Sequence, residues 1–206
     1  AVGTCVVNAN QAGSSTYAAA SPVQQSFAVG KGTPIVSWSN PADITYGTPL
    51  SAIQLNATAS VPGTFTYNPV LNSVLGTGAG QVLSVDFIPT DSANYLNVNG
   101  TTVTINVLTA NPTLSVTNSP VVYNGSPQAA IVVGSVPGTV SNILYNGSIN
   151  QPKNPGTYSI TADFAPTDSV NYNNLTAASA GDFIINSKDP DYPTFADVPM
   201  NHWAWA

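Results

Sequence analysis

The chain has 206 residues with 43% hydrophobic side chains, sufficient for packed cores, so a disordered polypeptide is excluded. Only 6% of residues are charged; there are three Lys, no Arg, no Glu and nine Asp, and the formal charge is −6. A chain so poor in cations lacks the groups that neutralise phosphates, which argues against nucleic acid and anionic membranes as partners.

Residues 1–32 open with Cys5, Val7 and Ala9, which align with Leu83, Val85 and Phe87 on the inward face of a central strand. No charged-then-apolar leader is expected at the start, and no run approaches the ~20 apolar residues needed to cross a bilayer. Ala9 to Tyr17 aligns at an offset of 78 with Phe87 to Tyr95, so this segment reads as the C-terminal half of a repeat. That alignment puts Cys5 at the position of Leu83 and predicts a buried, inert thiol, because free Cys behaves as a small hydrophobe. As the only cysteine, it has no partner for an internal disulfide. A half-sandwich leaves Val7, Ala9, Phe27 and Val29 uncovered together with an unpaired strand edge. Two completions are open: preceding repeats of the same protein, or strands added by a neighbouring copy.

Residues 33–110 form the first full repeat. Trp38 aligns with Val116 on an inward face and is expected in the core. Leu83, Val85 and Phe87 alternate with Ser84 and Asp86, and Val103, Ile105 and Val107 with Thr104 and Asn106. Pro62-Gly63 marks a turn between such runs. Phe87-Ile88-Pro89-Thr90-Asp91-Ser92-Ala93-Asn94-Tyr95 then recurs at an offset of 77 as Phe164-Ala165-Pro166-Thr167-Asp168-Ser169-Val170-Asn171-Tyr172.

Residues 111–188 make the second full repeat, with Ser135 to Thr139 repeating Ser60 to Thr64 and with turns at Asn124-Gly125, Pro137-Gly138, Asn146-Gly147 and Pro155-Gly156. Pro34, Pro112 and Pro190 stand at equal intervals of 78 and mark the seams. About seven short strands per repeat and no helical period predict an all-β chain of tandem immunoglobulin-like antiparallel β-sandwiches in an elongated array; a closed barrel is the alternative. The seams are too short for free tumbling.

Candidate chemistry is sparse. Asp91 and Asp168 offer hard oxygens of the kind calcium takes, but one carboxylate per loop favours an Asx-type turn with Tyr95 or Tyr172 packed over the sandwich end. Lys31, Lys153 and Lys188 lack the neighbouring acid that an isopeptide staple needs and read as solvated. Asn-x-Ser/Thr sequences at Asn56, Asn99, Asn124, Asn146 and Asn174 read as turn and strand residues. His202, the sole histidine, has no nucleophile or orienting group at a recognisable spacing. No acid, base, nucleophile and metal ligand converge, so neither an enzyme nor a cofactor is expected. In the tail, residues 189–206, Tyr192, Phe195, Trp203 and Trp205 crowd a short Pro-rich stretch suited to a partner contact or to stacking on sugars.

The stretch Asp43 to Leu50, the twice-used Phe-x-Pro-Thr-Asp-Ser-x-Asn-Tyr element and the strand Val103 to Val107 resemble the MBG domains of bacterial surface proteins over residues 1–188. That resemblance implies an extracellular, non-catalytic role as stalk, fibre or filament. Phe195 to Ala204 is similar to the opening of an S-layer homology module, which implies cell-wall polymer as a partner. The alternative function is an adhesin or glycan-binding module that uses loops or the aromatic tail.

Overall fold

The computed structural model describes residues 2–188, and within them the chain divides into two compact units between Thr109 and Ala110. The described residues contain strands and no helix.

In the first unit a hairpin, β1 (Gly3–Ala9) and β2 (Val23–Val29), precedes a two-layer sandwich. One layer pairs β3 (Val36–Ser37) with β5 (Thr58–Ala59). The other has the order β4 (Ile44–Thr45), β8 (Val98–Leu108), β7 (Gly78–Pro89) and β6 (Gly63–Asn68). The alternation read in the sequence sets the inward face: Leu83, Val103, Ile105 and Val107 join Ile44, Leu50 and Leu55 in one core, with Trp38, Tyr46, Tyr67 and Leu75 packed at its margin. Trp38 is half-buried there, edge-on to Tyr67 at 5.4 Å, and its Nε1 donates to the Gln54 carbonyl at 3.0 Å.

The second unit repeats the plan. β9 (Leu114–Val116) pairs with β11 (Val132–Gly134), and the larger layer runs β10 (Val121–Val122), β14 (Leu175–Asn186), β13 (Gly156–Pro166), β12 (Gly138–Tyr145). Its core joins Leu114, Ala130 and Val132 to Tyr145, Ile160, Ala162, Phe164, Phe183 and Ile185. Both large layers are antiparallel except at one edge, where β4 runs parallel to β8 and β10 to β14. No hairpin joins those partners, so no tight turn imposes the opposite sense.

The hairpin corrects one expectation. Gly3 faces Val29, Cys5 faces Phe27 and Val7 faces Gln25. In the complete sandwiches Gln81 faces Ile105 and Leu83 faces Val103, while Tyr158 faces Phe183 and Ile160 faces Gly181. Cys5 therefore takes the place of Gln81 and Tyr158, two residues from the alignment with Leu83, and is half-buried like both of them. The cause lies in the connection: residues 10–22 carry no Asp, fold on Ser14 Oγ, which accepts from Thr16 and Tyr17 N–H at 3.2 Å, and leave β1–β2 free of the register shifts seen in β7–β8.

Candidate functional site

The two copies of the Thr-Asp-Ser-x-Asn-Tyr element occupy equivalent connections, β7 to β8 and β13 to β14. In each the carboxylate closes on the residue three positions on. Asp91 Oδ1 accepts from the Asn94 N–H at 3.1 Å and Oδ2 from its side-chain amide at 2.7 Å; Asp168 does the same with Asn171 at 3.1 and 2.9 Å. Tyr95 N–H then donates to the Asp91 carbonyl at 3.1 Å, and Tyr172 to Asp168 at 3.2 Å. This is the Asx-type turn expected from the sequence. The side-chain amide of Asn94, followed by the backbone N–H groups of Asn94 and Ala93, holds the Asp91 carboxyl below its usual range. The amide and N–H of Asn171 do so for Asp168. Both carboxylates are ionised hydrogen-bond acceptors with their oxygens engaged inside the turn.

The turn also presents backbone outward, and a segment ahead of the seam proline binds it. Gly32 N–H donates to the Asn94 carbonyl and Leu96 N–H to the Gly32 carbonyl, both at 2.9 Å, so Gly32 and Tyr95 form a parallel bridge. Ala110 N–H donates to Asn171 and Asn173 N–H to Ala110, again at 2.9 Å, bridging Ala110 to Tyr172. In the first unit three further contacts tie the hairpin to this turn. Val2 N–H donates to Asn94 Oδ1 at 2.9 Å, Lys31 Nζ donates to the Ser92 carbonyl at 2.7 Å, and the Tyr95 ring lies against Gly32. Lys31 is exposed, and its ammonium group donates to the turn from the solvent side. Tyr95 and Tyr172 are half-buried.

On the other side of each turn lies a shallow hollow of about 350 Å³, one lined by Val61, Pro62, Thr90, Asp91 and Tyr95, the other by Val136, Pro137, Thr167, Asp168 and Tyr172. Thr90 N–H donates to the Pro62 carbonyl at 3.0 Å and Thr167 N–H to Pro137 at 2.9 Å, which fixes each Pro-Gly turn beside its Asp turn. The lining offers one carboxylate and one phenol, with no thiol, imidazole or amine to act as nucleophile or base. Among the described residues no three His, Cys, Asp or Glu side chains gather as a metal site. The aromatic tail, Tyr192, Phe195, Trp203 and Trp205, and His202 lie outside the described residues.

Residues 110–189 match the model of the MBG domain, a repeat-type domain of bacterial extracellular proteins. No curated protein matches the chain. The first unit carries the same sheet order, the same parallel edge and the same Asp turn as the MBG-matched segment. Sequence reasoning missed what binds the turn, because the bridge shared by the two copies is made by backbone groups and Gly32 and Ala110 share no side-chain signature.

Proposed function

We propose that the chain is a non-catalytic structural component of a bacterial cell surface, a stalk, fibre or filament built from tandem immunoglobulin-like repeats. The observation that carries this reading is the repeated bridge between an Asp turn and the segment ahead of Pro34 and of Pro112, at Gly32–Tyr95 and Ala110–Tyr172. A recurring backbone clasp at successive connections suits a part that transmits load along a chain of repeats. The MBG match at 110–189 supports the extracellular bacterial setting. Low charge and a Ser/Thr/Asn-rich surface suit the same role.

Antibody labelling of intact cells, followed by electron microscopy of the shed material, tests the reading. Labelled cells and fibres with a regular axial spacing are expected. Protein confined to the cytosol would overturn it. Glycan binding lost in Trp203→Ala and Trp205→Ala would select the adhesin reading instead.

A further inference from the structure

Glycine after asparagine leaves the backbone nitrogen that follows the side-chain amide unshielded, so the chain can react with itself there. The sequence holds this pair three times, at Asn99-Gly100, Asn124-Gly125 and Asn146-Gly147, and the last two lie in the same tetrapeptide, Tyr-Asn-Gly-Ser. All three asparagines are exposed. Access to water therefore does not rank them, and hydrogen bonding does.

At Gly100 the nitrogen is occupied: its N–H donates to Asp86 Oδ1 at 2.7 Å. A new N–C bond would have to take the place of that N–H bond, and the neighbouring carboxylate opposes loss of the proton. At Asn146 the carbonyl is drawn away instead. Its Oδ1 accepts from the Ser159 N–H on β13 at 2.8 Å, and its own N–H donates to the Ser159 carbonyl at 2.9 Å. Tyr145 and Ser148 exchange backbone hydrogen bonds at 2.7 and 2.9 Å around it, so the hairpin must open before the side chain can turn onto Gly147.

The connection from β10 to β11 is built differently. Tyr123 N–H donates to the Asn186 carbonyl and Gln128 N–H to the Pro152 carbonyl, both at 2.9 Å, which anchors the chain on either side. Between these anchors Asn124 Oδ1 accepts from the Ser126 N–H at 2.9 Å. That contact closes an Asx-type turn over Gly125 and lays the side-chain carbonyl on the side of the Gly125 nitrogen. The same N–H polarises the carbonyl and is placed to stabilise negative charge on Oδ1 as the nitrogen adds. Gly125 N–H donates to no acceptor among the described residues.

We propose that Asn124 is a self-modifying site of this chain. The Gly125 nitrogen gives its proton to water and bonds to Asn124 Cγ, and the side-chain nitrogen leaves as ammonia. Water then opens the cyclic imide at either carbonyl, which yields aspartate or isoaspartate. Amide and water become acid and ammonia, with no other reactant. Asn124 and Lys188 line one hollow of about 480 Å³, so the new carboxylate forms beside a cation.

Incubating the full-length chain in mildly alkaline buffer, with and without urea, and mapping its peptic peptides by mass spectrometry reads all three positions together. In the folded chain, conversion of amide to acid is expected at least about tenfold faster at Asn124 than at Asn99 or Asn146, which must first give up hydrogen bonds. In urea the two Tyr-Asn-Gly-Ser copies are expected to react at the same rate. Equal rates at Asn124 and Asn146 in the folded chain, or faster reaction at Asn99 or Asn146, would overturn the assignment. A preference for Asn124 that persists in urea would trace it to sequence and overturn the part given to the turn. Isoaspartate should accompany aspartate among the products. Aspartate alone would mean direct attack by water and overturn the Gly125 nitrogen as the nucleophile.

Discussion

The hydroxyl of Tyr145 accepts the Ala130 N–H at 2.9 Å and so ties the four-stranded layer of the second unit to the segment that leads into β11. The first unit has the same tie, with Tyr67 accepting from Ala57 at 2.9 Å, and burial pushes the Tyr67 phenol pKa up. Both Tyr145 and Ala130 are buried, so removing the oxygen leaves an unsatisfied N–H out of reach of bulk water. Tyr145→Phe is expected to lower unfolding stability by about 1–2 kcal/mol with the fold retained. Urea denaturation monitored by circular dichroism checks this, and an unchanged midpoint would contradict it.

The bulge after the Asp turn offers a prediction of opposite sign. Gly100 and Ala177 stand at equivalent positions with φ of 69° and 48°, and each donates its N–H at 2.7 Å to an aspartate on the neighbouring strand, Asp86 or Asp163. A left-handed backbone costs an L-residue roughly 1 kcal/mol that glycine does not incur. Ala177→Gly should therefore stabilise the second unit by about 0.5–1 kcal/mol, and Gly100→Ala should destabilise the first by a similar ~1 kcal/mol. Nothing lies within 4 Å of a methyl built on Gly100, so its cost comes from φ alone. Thermal melts of the two variants should shift in opposite directions.

Gly63 and Gly138, in the repeated Pro-Gly turns, are glycine for another reason. A Cβ on Gly63 would collide with the Phe87 ring and the Ile88 carbonyl, and one on Gly138 with the Phe164 ring and the Ala165 carbonyl. Phe87 and Phe164 are core residues held on both sides and cannot yield. Gly138→Ala is expected to cost about 2–3 kcal/mol. A loss below ~0.5 kcal/mol in chemical denaturation would show that the turn can move aside.

Acid sensitivity follows from the turn and bulge aspartates. Asp91 and Asp168 are held below the usual Asp range by the Asn amides beside them, and Asp163 by the Ala177 N–H and then the Asn142 amide. Because the folded state lowers these pKa values, their contribution is complete above the ordinary Asp value of about 4 and is lost as pH falls through the lowered folded values. Stability should thus drop below about pH 4, and Asp91→Asn with Asp168→Asn should flatten part of that drop. Melting temperature against pH for the double variant checks the sign.

The parts legible in the sequence were those written in side chains at a fixed period. Leu83, Val85 and Phe87 alternate because a strand sends successive residues to opposite faces, and the Asp turn was visible because its side chain makes the turn. Strands of two or three residues, such as β3, β4 and β10, are too short to display a period. The hairpin register escaped because seam spacing aligns β2 with β8, whereas the position of β1 depends on how residues 10–22 close. The backbone bridges at Gly32 and Ala110 are likewise silent, since any residue with an N–H and a carbonyl can make them.

Pulling single full-length chains from their two ends tests the central claim, that serially joined, independently packed sandwiches give this protein mechanical reach. Each sandwich, unfolding as a unit, releases on the order of 25 nm of contour at about 3.5 Å per residue. Two discrete rupture events with nearly equal increments of about that size are predicted, after low-force extension of the hairpin. One event of double length, or smooth extension without rupture, would contradict it.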